Sequence, residues 1–94
     1  MSTQHLQLVH TDADVTASEA EVLAADNRRE YLVLQNAGDA NIFLKFGATA
    51  VADEGILLVP GAAWENSRTN GNLDTRAVRA VAASGTQRLL MTYG

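Results

Sequence analysis

The stretch from Asn27 to Gly47 constrains this 94-residue chain more than any other. Tyr31-Leu32-Val33-Leu34 and Ile42-Phe43-Leu44-Lys45-Phe46 are short apolar runs on either side of Asn36-Ala37-Gly38-Asp39. Two such runs around a polar, glycine-containing tetrapeptide predict strand, tight turn and strand. Gly38 is expected to take φ > 0 at the turn, where a side chain would be strained. Tyr31 and Val33 point one way and Leu32 and Leu34 the other, which predicts a central strand covered on both faces. In the returning run Ile42, Leu44 and Phe46 share a face opposite Phe43 and Lys45. The segment holds both Phe residues and one of the two Tyr residues. It is therefore expected to be the core hairpin of a small all-β domain, built on Tyr31, Leu32, Val33, Leu34, Ile42, Leu44 and Phe46 with help from Phe43. It carries no nucleophile motif, metal-ligand cluster or phosphate-binding glycine loop.

The rest of the chain repeats this grammar. Residues 5–10 suit an edge strand or an extended arm, Thr11–Asp14 reads as a turn, and Val15–Ala17 as a short strand. Ser18–Ala25 admits two readings, a helix capped by Ser18 with Glu21 at capping-box spacing or a strand over Glu21–Ala25; the strand is preferred. Ala48–Gly55 reads as a loop, Ile56–Val59 as a strand stopped by Pro60-Gly61, and Ala62–Glu65 as another strand. Asn66–Asp74 is the longest polar loop. Thr75–Ala83 alternates in part, with Arg76 and Arg79 on opposite faces, and Ser84-Gly85-Thr86 is expected to close a hairpin onto Gln87–Tyr93. Seven or eight short strands with a turn signal every ten residues or so predict a compact antiparallel β-sandwich or jelly-roll-like small barrel. Residues 1–94 form one domain, with 1–20 as an extended arm or edge strand and 21–94 as the sandwich core.

Composition narrows the function classes. The net charge is −4 and the basic residues are one Lys and six scattered Arg, a poor match to a polyanion such as nucleic acid. No apolar run approaches the roughly 20 residues of a membrane helix. The N-terminus lacks a basic and an apolar signal region, so synthesis in the cytoplasm is expected. There is no Cys, hence no disulfide and no thiolate chemistry. A small all-β domain without staples gains from oligomerisation, which buries surface and covers sheet edges.

The candidate chemistry is thin. His10, Asp12 and Asp14 would share a face of an extended segment, but without a further ligand a solvated turn is the better reading than a metal site. Glu19 with Glu21 and Asp53 with Glu54 are the close acidic pairs; neither is tied to a cleft. Trp64 is either a core or interface anchor or a stacking platform for a sugar. Arg28-Arg29 is either a solvated pair at the start of a strand or a contact to a partner carboxylate. No catalytic, cofactor or metal residue is assigned.

Asn27–Asn36, then Ile42–Gly47, then Gly55-Ile56-Leu57-Leu58-Val59-Pro60-Gly61, then Val78–Ala83 with Leu89–Gly94, form an ordered set that resembles small tailed-phage structural proteins. The resemblance covers roughly residues 22–94 and rests on strand-and-turn motifs whose order and spacing are more specific than any one of them. It implies a non-enzymatic β-sandwich of the virion, a capsid decoration or cement protein on the outside of the head. The partner implied is the major capsid protein, clamped at junctions between subunits, and the oligomer implied is a homotrimer, with no cofactor, nucleic acid or membrane. The interface residues expected are His5, Leu6, Leu8, Arg28, Arg29, Arg68 and Asn70. A tail or fibre adaptor, or a carbohydrate-binding module centred on Trp64, is the alternative.

Overall fold

A computed structural model describes residues 8–94. They form eight strands and no helix: β1 (Val9–Val15), β2 (Ala20–Leu23), β3 (Tyr31–Asn36), β4 (Ile42–Phe46), β5 (Ile56–Leu58), β6 (Ala63–Ser67), β7 (Val78–Ala82) and β8 (Gln87–Tyr93). One sheet has the order β1-β8-β3-β6 and the other β2-β7-β4-β5, with every pairing antiparallel. This is the jelly-roll arrangement of a two-sheet sandwich. The ambiguous Ser18–Ala25 segment contains strand β2 and no helix.

Side-chain alternation explains the layers. Leu32, Leu34, Ile42, Leu44, Val78 and Leu89 are fully buried between the sheets, joined by Val15, Leu58, Ala80, Ala82 and Met91. In β3 the inward set is Leu32, Leu34 and Asn36, while Tyr31 and Val33 are only partly covered and Gln35 is exposed. β3 is thus central within its sheet but covered on one face, and Tyr31 and Val33 belong to the outer face. Phe43 lies on the outer face of β4, where it forms a separate small cluster with Val81 and Ala50.

Two expected hairpins are absent. β3 pairs with β6 and β8, and β4 with β5 and β7, so Ala37–Asn41 carries the chain from one sheet to the other. Ser84–Thr86 does the same between β7 and β8. A glycine-containing polar turn reverses the chain in either case; its local chemistry does not specify whether the next strand pairs with the last or faces it. Gly38 also has a different reason from the one expected. Its φ is not positive; a Cβ there would stand 2.0 Å from Gln87 Oε1, so the position needs space.

Thr11–Asp14 continues β1 and is not a turn. Asp disfavours strand interiors, but β1 is an edge strand whose outer face meets water, and Asp12 there pairs with Arg88 of β8. Arg76 precedes β7, so the opposed faces expected for Arg76 and Arg79 do not arise within one strand.

The crossing at Asn36 is held by one buried amide. Asn36 Nδ2 donates to Ala40 O at 2.7 Å and Leu58 O at 2.9 Å, while Oδ1 accepts from Gly38 N at 2.8 Å. Asn36 thereby links β3, the crossing loop and β5 of the opposite sheet. Asn36→Ala strands two carbonyls and an amide in a fully buried site. It is expected to lower unfolding free energy by about 2–3 kcal/mol, read as a lower midpoint with an unchanged m-value in urea.

Candidate assembly surface

One end of the sandwich collects most of the residues singled out from sequence. Val9 lies opposite Tyr93 and Tyr93 opposite Leu32, so the starts of β1 and β3 and the finish of β8 share that end. The loops Ala24–Glu30 and Arg68–Ala77 cap it. Leu8, Arg28, Arg68 and Asn70 therefore come together at this end. His5 and Leu6 lie outside the described residues.

The first loop turns on Asp26. Its Oδ1 accepts from Arg28 N at 2.9 Å and its carbonyl from Arg29 N at 3.1 Å, the Asp-initiated turn its side chain favours. Asp26 N in turn donates to Thr75 O of the second loop. This turn sends Arg28 outward, with its side chain 91% exposed, and Arg29 inward, with the residue 2% exposed.

Arg29 is buried within the chain, whereas the sequence reading has it facing solvent or a partner. Its Nη1 donates to Ala24 O at 3.2 Å, and its Nη2 to Asp74 O and Arg76 O, both at 2.9 Å. The guanidinium ties the two loops together through backbone carbonyls. Burial pushes its pKa down, and the charges of Asp26 and Asp74 push back. An arginine so far from its titration range stays charged at neutral pH. No local sequence signal marks this, because the acceptors are backbone carbonyls and two of the three lie 45 and 47 residues further along the chain.

The exposed polar groups at this end are largely engaged with one another. Arg68 pairs with Glu30 at 3.4 Å, and its amide donates to Glu30 O. Asn70 Nδ2 donates to Glu65 Oε1 and Asn70 N to Ser67 Oγ. Asn72 accepts from Ser67 N and donates to Glu65 O. Arg76 grips Asp74 through two nitrogens, which holds the Asp74 carboxyl below its ordinary pKa. Between the loops lies a shallow depression of about 440 Å³ lined by Ala25, Asp26, Asn27, Arg28, Thr75 and Arg76. Its lining includes two arginines and one aspartate.

The other candidates are partnered as well. His10 Nδ1 lies 2.9 Å from Thr92 Oγ1, and Asp12 pairs with Arg88, so two of the three imagined metal ligands bind their neighbour strand. Among the described residues no three His, Asp or Glu side chains are grouped to hold a metal ion. Glu19 accepts from Arg79 and from Ala50 N, and Glu54 from Lys45. Neither acidic pair leaves both carboxylates free in a cleft. Trp64 is partly buried on β6 and packs against the core with its indole nitrogen buried.

No protein-family model matches the chain, and no curated protein sequence does. Among solved structures, a chain from work describing Bacillus endospore appendages as a family of disulfide-linked pili is similar, with a TM-score of 0.54 and 20% identity. The match covers 93% of this chain and 82% of that one. It supports the sandwich fold.

The two adjacent arginines are expected to behave oppositely. Arg29→Lys cannot span three carbonyls and should cost about 2–4 kcal/mol of stability. Arg28→Ala should change it by less than about 0.5 kcal/mol. Thermal melts of the two variants beside the parent chain check this.

Proposed function

We propose that this protein is a non-enzymatic structural subunit, a β-sandwich block built in many copies into the exterior of a larger particle. The observation that carries the reading is the use made of its polar side chains. The groups able to do chemistry, from Arg29 and Asn36 to Glu19 and His10, hold backbone or one another. Sheet edges meanwhile stay open. β1 is seven residues long and, among the described residues, pairs only with β8. Open edges and an end cap of short polar loops suit lateral contact in an assembly better than capture of a small molecule.

The specific form favoured by the sequence resemblance is a capsid decoration protein, a trimer seated on the outside of a phage head against its major capsid protein. Arg28, Arg68, Asn70 and Leu8, on one end of the sandwich, are the contacts this reading uses. The acidic balance of the chain favours an outer surface over one facing packaged DNA. The structural likeness to a pilus subunit favours a second form, an extracellular fibre made of this chain alone. The 94 residues contain no cysteine, so the contacts these residues make in such a fibre would not be disulfides.

Native mass measurement and negative-stain microscopy of the purified chain across a wide concentration range test the proposal. A closed trimer is expected for the capsid form, and filaments would favour the fibre. A chain that stays monomeric throughout and does not bind phage heads lacking decoration would contradict the structural-subunit reading.

A further inference from the structure

The β2-β7-β4-β5 sheet carries apolar side chains on its outer face as well as its inner one. Phe43 lies opposite Val81 on one side and Leu57 on the other, so the three form a single cross-strand row. Phe43 and Val81 are nearly inaccessible, whereas Leu57 is 50% exposed. The difference is a cover. The β4–β5 connection, Gly47–Gly55, runs over this face and sets Ala50 on Phe43 and Val81.

The cover is held at two places. Glu19, in the β1–β2 connection, accepts a hydrogen bond from Ala50 N at 3.2 Å, and Arg79 of β7 grips the same carboxylate through Nε and Nη2. Further along, Lys45 of β4 pairs with Glu54 at 2.7 Å. The ends of the segment are glycines in the left-handed region, Gly47 at φ 71° and Gly55 at φ 78°. At Gly55 a Cβ would also stand 2.4 Å from Leu44 O, so the segment leaves the sheet by a path that only glycine permits. What holds the middle of the segment down is one methyl group and one side-chain-to-backbone bond. Segments with so few buried contacts open below the free energy of global unfolding.

We infer that Gly47–Gly55 is a releasable strap, latched by Glu19 and Arg79 onto Ala50, and that its opening exposes the Val81–Phe43–Leu57 row while the sandwich stays folded. The uncovered row is continuous with Leu57, already half exposed, giving an apolar strip that the closed strap withholds from solvent. The latch joins three connected elements, so a change at Glu19 reaches the strap without touching the inner core. This inference does not rest on the assembly reading.

Amide exchange and an apolar dye test it together, in the parent chain and in Glu19→Ala. The variant should exchange the Ala50 amide at least about tenfold faster than the parent, and should bind anilinonaphthalene sulfonate, while the Leu34 and Met91 amides keep their parent rates. An unchanged Ala50 rate would overturn the inference, and so would faster exchange with no gain in dye fluorescence. If the variant loses protection everywhere, the parent chain decides. Ala50 exchanging at least about tenfold faster than Leu34 upholds the strap, and equal rates overturn it.

Discussion

The structure depends on how the chain crosses between its sheets. Of the seven connections, only β4 to β5 stays within one sheet; the other six cross. Four of the six crossings, β2–β3, β3–β4, β6–β7 and β7–β8, bring loop backbone onto a buried polar side chain at the rim of the core, where amides and carbonyls need partners. The buried polar residues answer that need. At one end Asn36 satisfies Ala40, Leu58 and Gly38, and Gln87 Oε1 accepts from Asp39 and Ala40 while its Nε2 donates to Ser84 O. At the other end Arg29 satisfies Ala24, Asp74 and Arg76. Truncating such a group leaves its partners stranded, which costs more than the net worth of a hydrogen bond.

These ties also shape what the protein can do. A loop whose backbone is fastened from below holds a fixed outline, and its surface charges are free to face a neighbour. Arg28 and Arg29 divide the two tasks between consecutive residues, one outward and one inward. The exposed ion pairs at the same end, Arg68 with Glu30 and Arg76 with Asp74, add little to stability on their own. The outer face of the β2-β7-β4-β5 sheet differs, because its cover is fastened from above by Glu19 and only lightly.

Strand positions were legible in the sequence because period-two alternation and turn residues are local signals. β3, β4, β5 and β8 fall where the apolar runs and the Pro60-Gly61 stop put them, while β6 runs on through Asn66 and Ser67, buried polar residues that read as loop. Pairing was not legible. Asn36–Asn41 and Ser84–Thr86 carry hairpin-like chemistry and yet cross sheets, since the choice is made by distant strands competing for each edge. Asp12 and Asp14 misled for a related reason: on an edge strand their carboxylates face water or Arg88, and the usual penalty does not apply. Of the candidate surface, Arg28, Arg68, Asn70 and Leu8 were found as exposed residues that the fold gathers at one end. Arg29 was misread because its partners are backbone carbonyls, which leave no trace in sequence.

The crossing loops Ala24–Glu30, Ala37–Asn41, Arg68–Ala77 and Ser84–Thr86 are fixed structure, fastened by buried polar side chains. Native-state hydrogen exchange at Asp39 measures this most directly. Its amide sits in a loop, but it donates to the buried Gln87 Oε1 at 2.7 Å. It is expected to exchange as slowly as the Leu34 amide in the centre of β3, through global unfolding alone. Exchange at the rate of a solvent-exposed loop amide without a hydrogen-bond partner would contradict it.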